Sequence, residues 1–442
     1  MSQKRKEKPD ICRDIIVVGA GAAGLMAAIH GARCGADVLI LEHMERPGKK
    51  LLMTGNGRCN FTNEALFSPN ILDDPQGRAS FGNFYHGASP AFVLPALRFF
   101  SPRDTLRFFE ELGVNAIIRK GGYYPFGGGA AGMLSVLTME CERLGIEIHC
   151  NTGIRKIRKA ENKFIFETKS GTYISKKCIL ATGGKSYKKT GSDGSGFLYV
   201  ERFGHHIQDL VPALVPLQSK LAFFGKVAGI RAEISTKVYI DHEEKACESG
   251  ELQLTDYGVS GICIFQVSHL AANGLKRGRD VRLELDFLPG FEENEAFTLL
   301  MDRSKRVFSR QKTMAQSMIG LFPEKLGSAF LDEAGIDRTL PCVTLTTGQA
   351  RRLLGKIKHF SVPVTDTRSF EQAQVTAGGV DTDEVCGETM ESKLVQGLYV
   401  AGEMLDVDGI CGGFNLQWAW SSGAAAGQCA AKSLRSVTGR KT

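Results

Sequence analysis

The sequence lacks several features that would assign it to a familiar class at once. None of its twelve cysteines forms a CxxC pair, which argues against a disulfide framework, a vicinal redox dithiol and a zinc site. His86, His205 and His206 have no carboxylate or cysteine at metal-ligand spacing. No apolar run reaches the roughly 20 residues that span a bilayer. We therefore expect reduced thiols, no metal and no membrane segment, in a cytoplasmic protein.

The net charge of the chain is also modest for its length. The chain has 442 residues, a formal net charge of +7 and 51 glycines. Its length suits two or three domains better than a single core. The positive charge alone does not indicate a nucleic-acid binder, although it favours an anionic small-molecule substrate through long-range attraction. Abundant glycine fits a fold in which backbone approaches a ligand closely.

A glycine-rich turn between two apolar strands is the strongest motif. Ile15 to Val18 predicts a strand buried on both faces, and a helix from Leu25 leads to a second strand that ends before Glu42. In such a βαβ unit the glycines allow a tight turn, close approach to a pyrophosphate and helix-sheet packing, while the acidic residue binds the ribose. The predicted dinucleotide ligands are Gly19, Gly21, Ala22, Ala23, Gly24 and Glu42.

Further glycine-dense turns favour FAD over NAD. The loop from Pro47 to Asn63 is too irregular in composition to form a helix or strand, so we expect it to wrap a ligand. A helix that begins near Asn415 can point its positive end at the flavin ring, where charge accumulates on reduction. The other predicted FAD ligands are Lys50, Gly55, Asn56, Arg58, Thr182, Gly183, Gly184, Gly402, Glu403, Asp406, Gly413, Asn415 and Leu416.

A second strand-GxGxxG-helix unit is missing from the sequence. Gly191 to Gly196 is glycine-rich but does not directly follow a predicted strand. NAD(P)H therefore has no dedicated domain, and either it binds transiently over the flavin or another donor reduces the protein. The absence of a CxxxxC pair also argues against a disulfide reductase.

The predicted secondary structure changes along the chain in a way that indicates an insertion within an α/β fold. The first and last segments carry the buried strands and the glycine turns, whereas the middle is first β-rich and then mostly helical. The predicted parts are a flexible tail over 1–12, an FAD-binding domain from 13–199 and 358–442, an inserted β-rich domain over 200–290 and a helical subdomain over 291–357.

Several segments spread over nearly the whole chain carry a family resemblance. They are Val18 to Glu42, Lys49 to Asn63, Ala181 to Gly196, Pro212 to Leu217, Gly250 to Gly261, Ala377 to Val380 with Thr389 to Ser392, and Gly397 to Gly423. The chain resembles the bacterial FAD-binding flavoproteins labelled aminoacetone-oxidase-like or BaiN-like NAD(P)/FAD-dependent oxidoreductases. The resemblance implies a two-dinucleotide-binding, Rossmann-like FAD domain, an inserted β-barrel-like domain and a small helical subdomain.

The resemblance also implies two kinds of substrate, steroid enones in bile acids and a uridine in ribosomal RNA. Both contain a carbon-carbon double bond conjugated to a carbonyl, so hydride adds to the β carbon while charge moves to the oxygen. Catalysis then needs a donor for the developing enolate and an acid for the α carbon. Arg58, Cys59 and Cys411 are the candidates, although either thiol can instead be a packing residue without a chemical role.

We therefore expect an FAD-dependent oxidoreductase that reduces an activated double bond, first of all in a 3-oxo-4-ene steroid or bile acid. The basic segment Lys4 to Lys8 and the lysines Lys185, Lys188 and Lys189 keep reduction of uridine to dihydrouridine in ribosomal RNA as the alternative. A flavin amine oxidase and a non-enzymatic flavin-binding protein remain open. Asp256, Tyr257 and Ser260 either line the substrate pocket or only form a turn.

Overall fold

Both ends of the chain build one unit, and the middle builds another. The computed structural model describes residues 10–67, 84–306 and 311–438. The terminal unit runs up to Leu210 and resumes at Val375, and the inserted unit is Val211–Gln374. Both divisions lie later in the chain than the predicted domain boundaries. Of the predicted tail, residues 1–9 and with them Lys4 to Lys8 lie outside the described residues, and the first strand begins at Ile11.

The secondary structure follows the alternation that the sequence predicts. The strands are β1 (Ile11–Val18), β2 (Val38–Leu41), β3 (Thr62–Asn63), β4 (Tyr85–Gly87), β5 (Ala116–Arg119), β6 (Gly122–Pro125), β7 (Glu147–His149), β8 (Ile154–Ala160), β9 (Lys163–Thr168), β10 (Thr172–Leu180), β11 (Val211–Ala213), β12 (Leu217–Gln218), β13 (Arg231–Ile240), β14 (Glu243–Thr255), β15 (Gly258–Gly261), β16 (Val281–Asp286), β17 (Phe360–Pro363), β18 (Asp366–Thr367), β19 (Val375–Ala377), β20 (Leu398–Val400) and β21 (Val407–Gly409). The helices are α1 (Ala22–Arg33), α2 (Pro90–Phe99), α3 (Pro102–Glu111), α4 (Gly129–Arg143), α5 (Phe197–Glu201), α6 (Phe223–Val227), α7 (Ile262–Lys276), α8 (Glu293–Lys305), α9 (Met314–Met318), α10 (Glu324–Glu333), α11 (Thr347–Lys358) and α12 (Phe414–Thr438).

Parallel strands form the centre of the sheet in the terminal unit. Its order is β7-β2-β1-β10-β9-β8, and β20 also pairs with β10. Val18 of β1 is in register with Leu41 of β2 and with Leu180 of β10, which is in register with Val400 of β20. These four residues form one row across the sheet at the carboxyl ends of their strands. Open α/β sheets bind ligands beyond such an edge.

Small residues bring the first and last helices of the terminal unit into backbone contact. A Cβ atom at Gly423 would lie 2.4 Å from the Ala23 carbonyl oxygen, and one at Gly427 would lie 2.0 Å from the Ala27 carbonyl oxygen. Any side chain at either glycine would therefore force α12 away from α1. The predicted final helix is confirmed as α12, which covers the predicted range and extends beyond both of its ends.

The inserted unit has its own sheet and its own core. Antiparallel strands follow the order β17-β16-β13-β14-β15-β12-β18. Its core includes Phe223, Phe287, Phe330 and Phe360, with ring centroids of Phe223 and Phe360 4.3 Å apart. Residues from the predicted β-rich and helical parts thus share one hydrophobic cluster. The predicted fold class is confirmed as an α/β Rossmann-like domain that carries a β-rich and helical insertion.

Candidate active site

Four turns follow the row of residues at the carboxyl edge of the parallel strands. Gly19 follows β1, Glu42 follows β2, the segment 181–184 follows β10 and the segment 401–403 follows β20. Predicted ligands that are far apart in sequence therefore meet along one edge. The sheet register is what brings them together, because each turn begins one residue after the row.

The first turn leaves a helix N-terminus open to a ligand. Gly19 has φ of +100°, and a Cβ atom at Gly24 would lie 1.9 Å from the Gly19 carbonyl oxygen. Gly21 differs, because its Cβ position has no atom within 4 Å. No side chain caps the start of α1 at Gly21. Backbone N–H groups at an uncapped N-terminus beside open space suit a pyrophosphate.

Glu42 is oriented by the backbone around it. Its side chain is nearly buried, its Oε2 accepts a hydrogen bond from Ala20 N at 2.7 Å and its Oε1 accepts one from Met44 N at 2.8 Å. An ionised carboxylate offers about four acceptor positions. Two therefore remain for ribose hydroxyls, and the ribose role of Glu42 stays a prediction.

An ion pair joins two of the turns. Lys50 Nζ donates to Glu403 Oε2 at 2.6 Å, and Glu403 Oε1 accepts from Thr376 N at 2.9 Å. A Cβ atom at Gly184 would lie 2.5 Å from Thr376 Oγ1 and 2.9 Å from Glu403 Oε1. The bare backbone at this glycine thus lets both side chains approach it. Sequence reasoning missed Thr376, since no motif marks it.

Some buried polar atoms without a partner among the described residues belong to side chains beside Gly183 and Gly413. They include Ser192 Oγ, Asn60 Oδ1 and Thr62 Oγ1. Ser192 Oγ lies 3.1 Å from the Cβ position of Gly183, and Asn60 Oδ1 lies 2.8 Å from that of Gly413. Buried polar atoms are almost always hydrogen-bonded. A polar ligand such as FAD would supply the missing partners, so the residues present fit this cofactor.

In the loop after Lys50, Arg58 is exposed and Cys59 is buried. Gly55 and Asn56 have φ of +56° and +54°, and Asn56 and Arg58 are exposed. Cys59 is fully buried within the hydrophobic core, and this burial raises the pKa of its thiol to about 12. Arg58 is therefore accessible to a substrate, whereas Cys59 lies behind the loop. The catalytic roles predicted for both residues stay predictions.

The loop before α12 contains a perturbed carboxyl group. Burial, followed by the charge of Asp408, raises the pKa of Asp406 to about 6. Burial also raises the pKa of the Cys411 thiol, which is half-buried. Asn415 uses its amide on the loop itself, accepting from Gly409 N at 2.9 Å and donating to Gly409 O at 2.6 Å. It shapes the loop, and its contact with flavin stays a prediction.

Three further predicted ligands have defined local roles. Thr182 Oγ1 donates to Met404 Sδ at 3.0 Å. Gly402 has φ of +72° and its N–H donates to Ser422 Oγ at 3.0 Å, which ties the turn after β20 to α12. Leu416 is half-buried in the first turn of α12. These contacts fix the turns beside which a cofactor would lie.

The remaining candidates lie elsewhere. Tyr257 sits under the guanidinium of Arg368 at 4.5 Å, in the turn between β14 and β15. Lys188 and Lys189 are exposed on a short 3-10 turn. Across residues 10–67, 84–306 and 311–438, no three His, Cys, Asp or Glu side chains group as metal ligands. Within the same ranges, every helix is too short or too polar to traverse a lipid bilayer.

Comparison with known proteins gives matches over almost the whole chain. The family described as HI0933-like protein Rossmann domain matches residues 13–429. The chain is 38% identical over 421 residues to a 3-dehydro-bile acid delta(4,6)-reductase of Clostridium scindens, covering 94% of this chain and 98% of that protein. It is 30% identical over 416 residues to a ribosomal RNA dihydrouridine synthase of Haemophilus influenzae, covering 92% and 96%.

A solved structure shares the fold at low sequence identity. The 3-ketosteroid delta1-dehydrogenase of Sterolibacterium denitrificans, in complex with 1,4-androstadiene-3,17-dione, matches with a TM-score of 0.51 and 12% identity. The match covers 96% of this chain and 100% of that chain. At this identity the likeness concerns the fold alone.

Proposed function

We propose that this chain, which belongs to the HI0933-like Rossmann-domain family, is an FAD-dependent oxidoreductase that reduces a carbon-carbon double bond conjugated to a carbonyl. The observation that carries the proposal is the set of turns along the row Leu41, Val18, Leu180 and Val400. An uncapped helix, an ion pair and the buried Ser192 Oγ, which has no partner among the described residues, lie along these turns.

The cofactor would be held by residues of these turns and by residues that adjoin them. The N-terminus of α1 at Gly21 would bind the pyrophosphate, and Glu42 would accept the hydroxyls of the adenosine ribose. Lys50, Glu403 and Ser192 would meet other polar groups of the cofactor. When bound and reduced, FAD supplies hydride at N5 of its ring.

Two residues of the loops would serve the carbonyl substrate. Arg58 is exposed and permanently charged, so it would donate hydrogen bonds to the oxygen on which negative charge develops. Cys411 lies in the loop before α12 and is only half-buried, so it would be the thiol that gives a proton to the α carbon. Burial raises the pKa of this thiol, so it would still hold its proton before the transfer. The more deeply buried Cys59 would support the loop by packing.

The substrate that we favour is a 3-oxo-4-ene steroid of the bile-acid type. This choice is supported by 38% identity over nearly the full length of a protein named as a bile acid reductase. A carboxylate on the substrate also suits a chain of net charge +7. We propose NAD(P)H as the electron donor and the cytoplasm as the location.

A second candidate is reduction of uridine in ribosomal RNA. It is favoured by the 30% identity to a protein named as a ribosomal RNA dihydrouridine synthase. Exposed Lys188 and Lys189 provide charges that an RNA backbone would contact. Both candidates require the same cofactor and the same addition of hydride and proton.

An anaerobic reoxidation experiment tests the proposal. The FAD-loaded protein is reduced, a 3-oxo-4-ene bile acid or a uridine-containing ribosomal RNA fragment is added separately, and the flavin absorbance is followed. Rapid reoxidation by the steroid alone is the expected result. Reoxidation by the RNA alone would transfer the function to RNA modification. If neither compound reoxidises the flavin, the result would contradict the double-bond reductase and favour the oxidase or a non-enzymatic flavoprotein.

A further inference from the structure

The hairpin of β5 and β6 has two different faces. Ile117 is paired with Tyr124 and Ile118 with Tyr123. The pairing continues beyond β6, because Phe126 N donates to Asn115 O at 2.8 Å. Alternate residues of a strand share a face. Ile117, Tyr124 and Phe126 therefore lie on one face, and Ile118 and Tyr123 lie on the other.

The hairpin is built directly onto the loop that exposes Arg58. Phe61 N donates to Tyr123 O at 2.9 Å, and a Cβ atom at Gly129 would lie 2.5 Å from the Gly57 carbonyl oxygen. The Cβ position of Gly55 is 3.8 Å from Tyr124 Cε1. The face that carries Tyr124 thus adjoins the glycine loop, with no other segment between them at this point.

The aromatic side chains of the hairpin differ in how far they are covered, and Phe126 stands out among them. Tyr123 packs on Phe67, with ring centroids 5.2 Å apart. Phe126 is 75% exposed, more than any other large hydrophobic side chain in the described ranges. Phe126 therefore presents uncovered apolar surface on the face of the hairpin that adjoins the glycine loop.

We propose that Phe126 and Tyr124 are specificity residues that pack against the apolar rings of the substrate. This inference rests on the proposed function, and it names the part of the substrate that the chain recognises. A fused-ring enone is broad, flat and almost entirely apolar away from its carbonyl and carboxylate. Packing such rings on Phe126 removes apolar area of both partners from water, while Arg58 remains beside the carbonyl.

The test compares substitutions on the face that carries Phe126 with a substitution on the opposite face of the hairpin. Phe126→Ala removes the exposed ring, Phe126→Trp restores a larger one, and Ile118→Ala is the matched control because Ile118 is 52% exposed on the opposite face. Each FAD-loaded variant is titrated with 3-oxo-4-cholenoic acid through the flavin spectrum, and its KM and kcat are measured. We expect Phe126→Ala to raise Kd and KM about tenfold with little change in kcat. Phe126→Trp and Ile118→Ala should stay within about twofold of the unaltered protein.

Other outcomes would overturn the inference in distinguishable ways. If the unaltered protein reduces the steroid and Phe126→Ala matches Ile118→Ala, the specificity role is wrong while the proposed function stands. If the unaltered protein neither binds nor reduces the steroid, the specificity role and the steroid assignment are both wrong, and the double-bond reductase then depends on the result with RNA. If Phe126→Ala dissociates an oligomer in sedimentation experiments without changing KM, the exposed ring serves contact between copies of the chain instead.

Discussion

Lys50 and Glu403 are 353 residues apart in sequence and join through a hydrogen bond of 2.6 Å. One follows β2 and the other follows β20, so the pair links the two ends of the chain along the carboxyl edge of the sheet. Both side chains are about one-fifth exposed, at 23% and 19%. The pair is accessible enough to meet a ligand and covered enough to hold a fixed geometry.

Removing one member of this pair should weaken cofactor binding. Lys50→Met leaves the Glu403 carboxylate without its cation, and we expect the Kd for FAD to rise about tenfold. Glu403→Gln should have a similar effect, and the double variant should fall short of the sum because both changes act on one contact. Fluorescence titration of the FAD-free protein measures the three values, and strictly additive effects would show that the two residues act separately.

Two glycines of the first turn should respond in opposite ways. Gly21 has φ of −81°, a conformation open to any residue, and free space at its Cβ position. Gly21→Val should therefore melt at the same temperature as the FAD-free unaltered protein but fail to retain FAD, which the ratio of flavin to protein absorbance reports. Gly24→Ala, whose Cβ would lie 1.9 Å from a carbonyl oxygen, should lose stability by about 3 kcal/mol or more. A fully loaded Gly21→Val protein would contradict the phosphate role of this turn.

Substitution of Cys411 and of Cys59 should affect activity differently. Cys411→Ala is expected to lower kcat about a hundredfold, the usual scale for loss of a general acid. Cys59→Ala should keep its turnover and lose about 1 kcal/mol of stability, because Cys59 is fully buried in the core. Steady-state kinetics with the reduced protein and thermal melts give both numbers. Full turnover in the two variants would rule out either cysteine as the proton donor.

Asp406 should make stability depend on pH. Its pKa of about 6 in the folded protein exceeds the ordinary value of 3.8, so the folded state holds the proton more tightly between these values. Stability from this group is therefore greatest below about pH 4 and is lost as pH rises through 6. At about 1.4 kcal/mol for each pKa unit, Asp406→Asn should stabilise the FAD-free protein by up to roughly 3 kcal/mol above pH 7.

Thermal melts from pH 4 to pH 8 measure this difference directly. The gap between Asp406→Asn and the unaltered protein should close as pH falls through 6, and Asp10→Asn, at an exposed position, is measured beside it as the control. A gap that stays constant with pH would mean that the carboxyl group titrates normally.

The sequence predicts local structure well where one short segment contains the whole signal. The strand, turn and helix from Ile15 to Arg33 are an example, because buried β-branched residues and glycine spacing need no distant partner to be interpreted. The observed helix nevertheless begins at Ala22 rather than Leu25. Its first turn consists of small residues that carry no apolar periodicity.

Distant pairing explains what sequence reasoning could not reach. Thr376 meets Gly184 and Glu403 because β10 and β20 lie side by side, and no local pattern indicates that pairing. Likewise, the irregular loop after Lys50 gives no sign that Cys59 points into the core while Arg58 stays exposed. Burial in such a loop depends on what packs behind it.

The backbone contact between α1 and α12 bears on how this protein is made. Gly423 and Gly427 reach Ala23 and Ala27 only after the end of the chain has been synthesised, and β20 is likewise absent until then. At about 5–20 residues per second, the first βαβ segment waits roughly 20–80 s for these partners. The inserted unit is continuous from Val211 to Gln374 and can fold during that interval. The inserted unit therefore has its whole sequence available before β20 and α12 exist, and the sheet edge that we propose for FAD is complete only once they do.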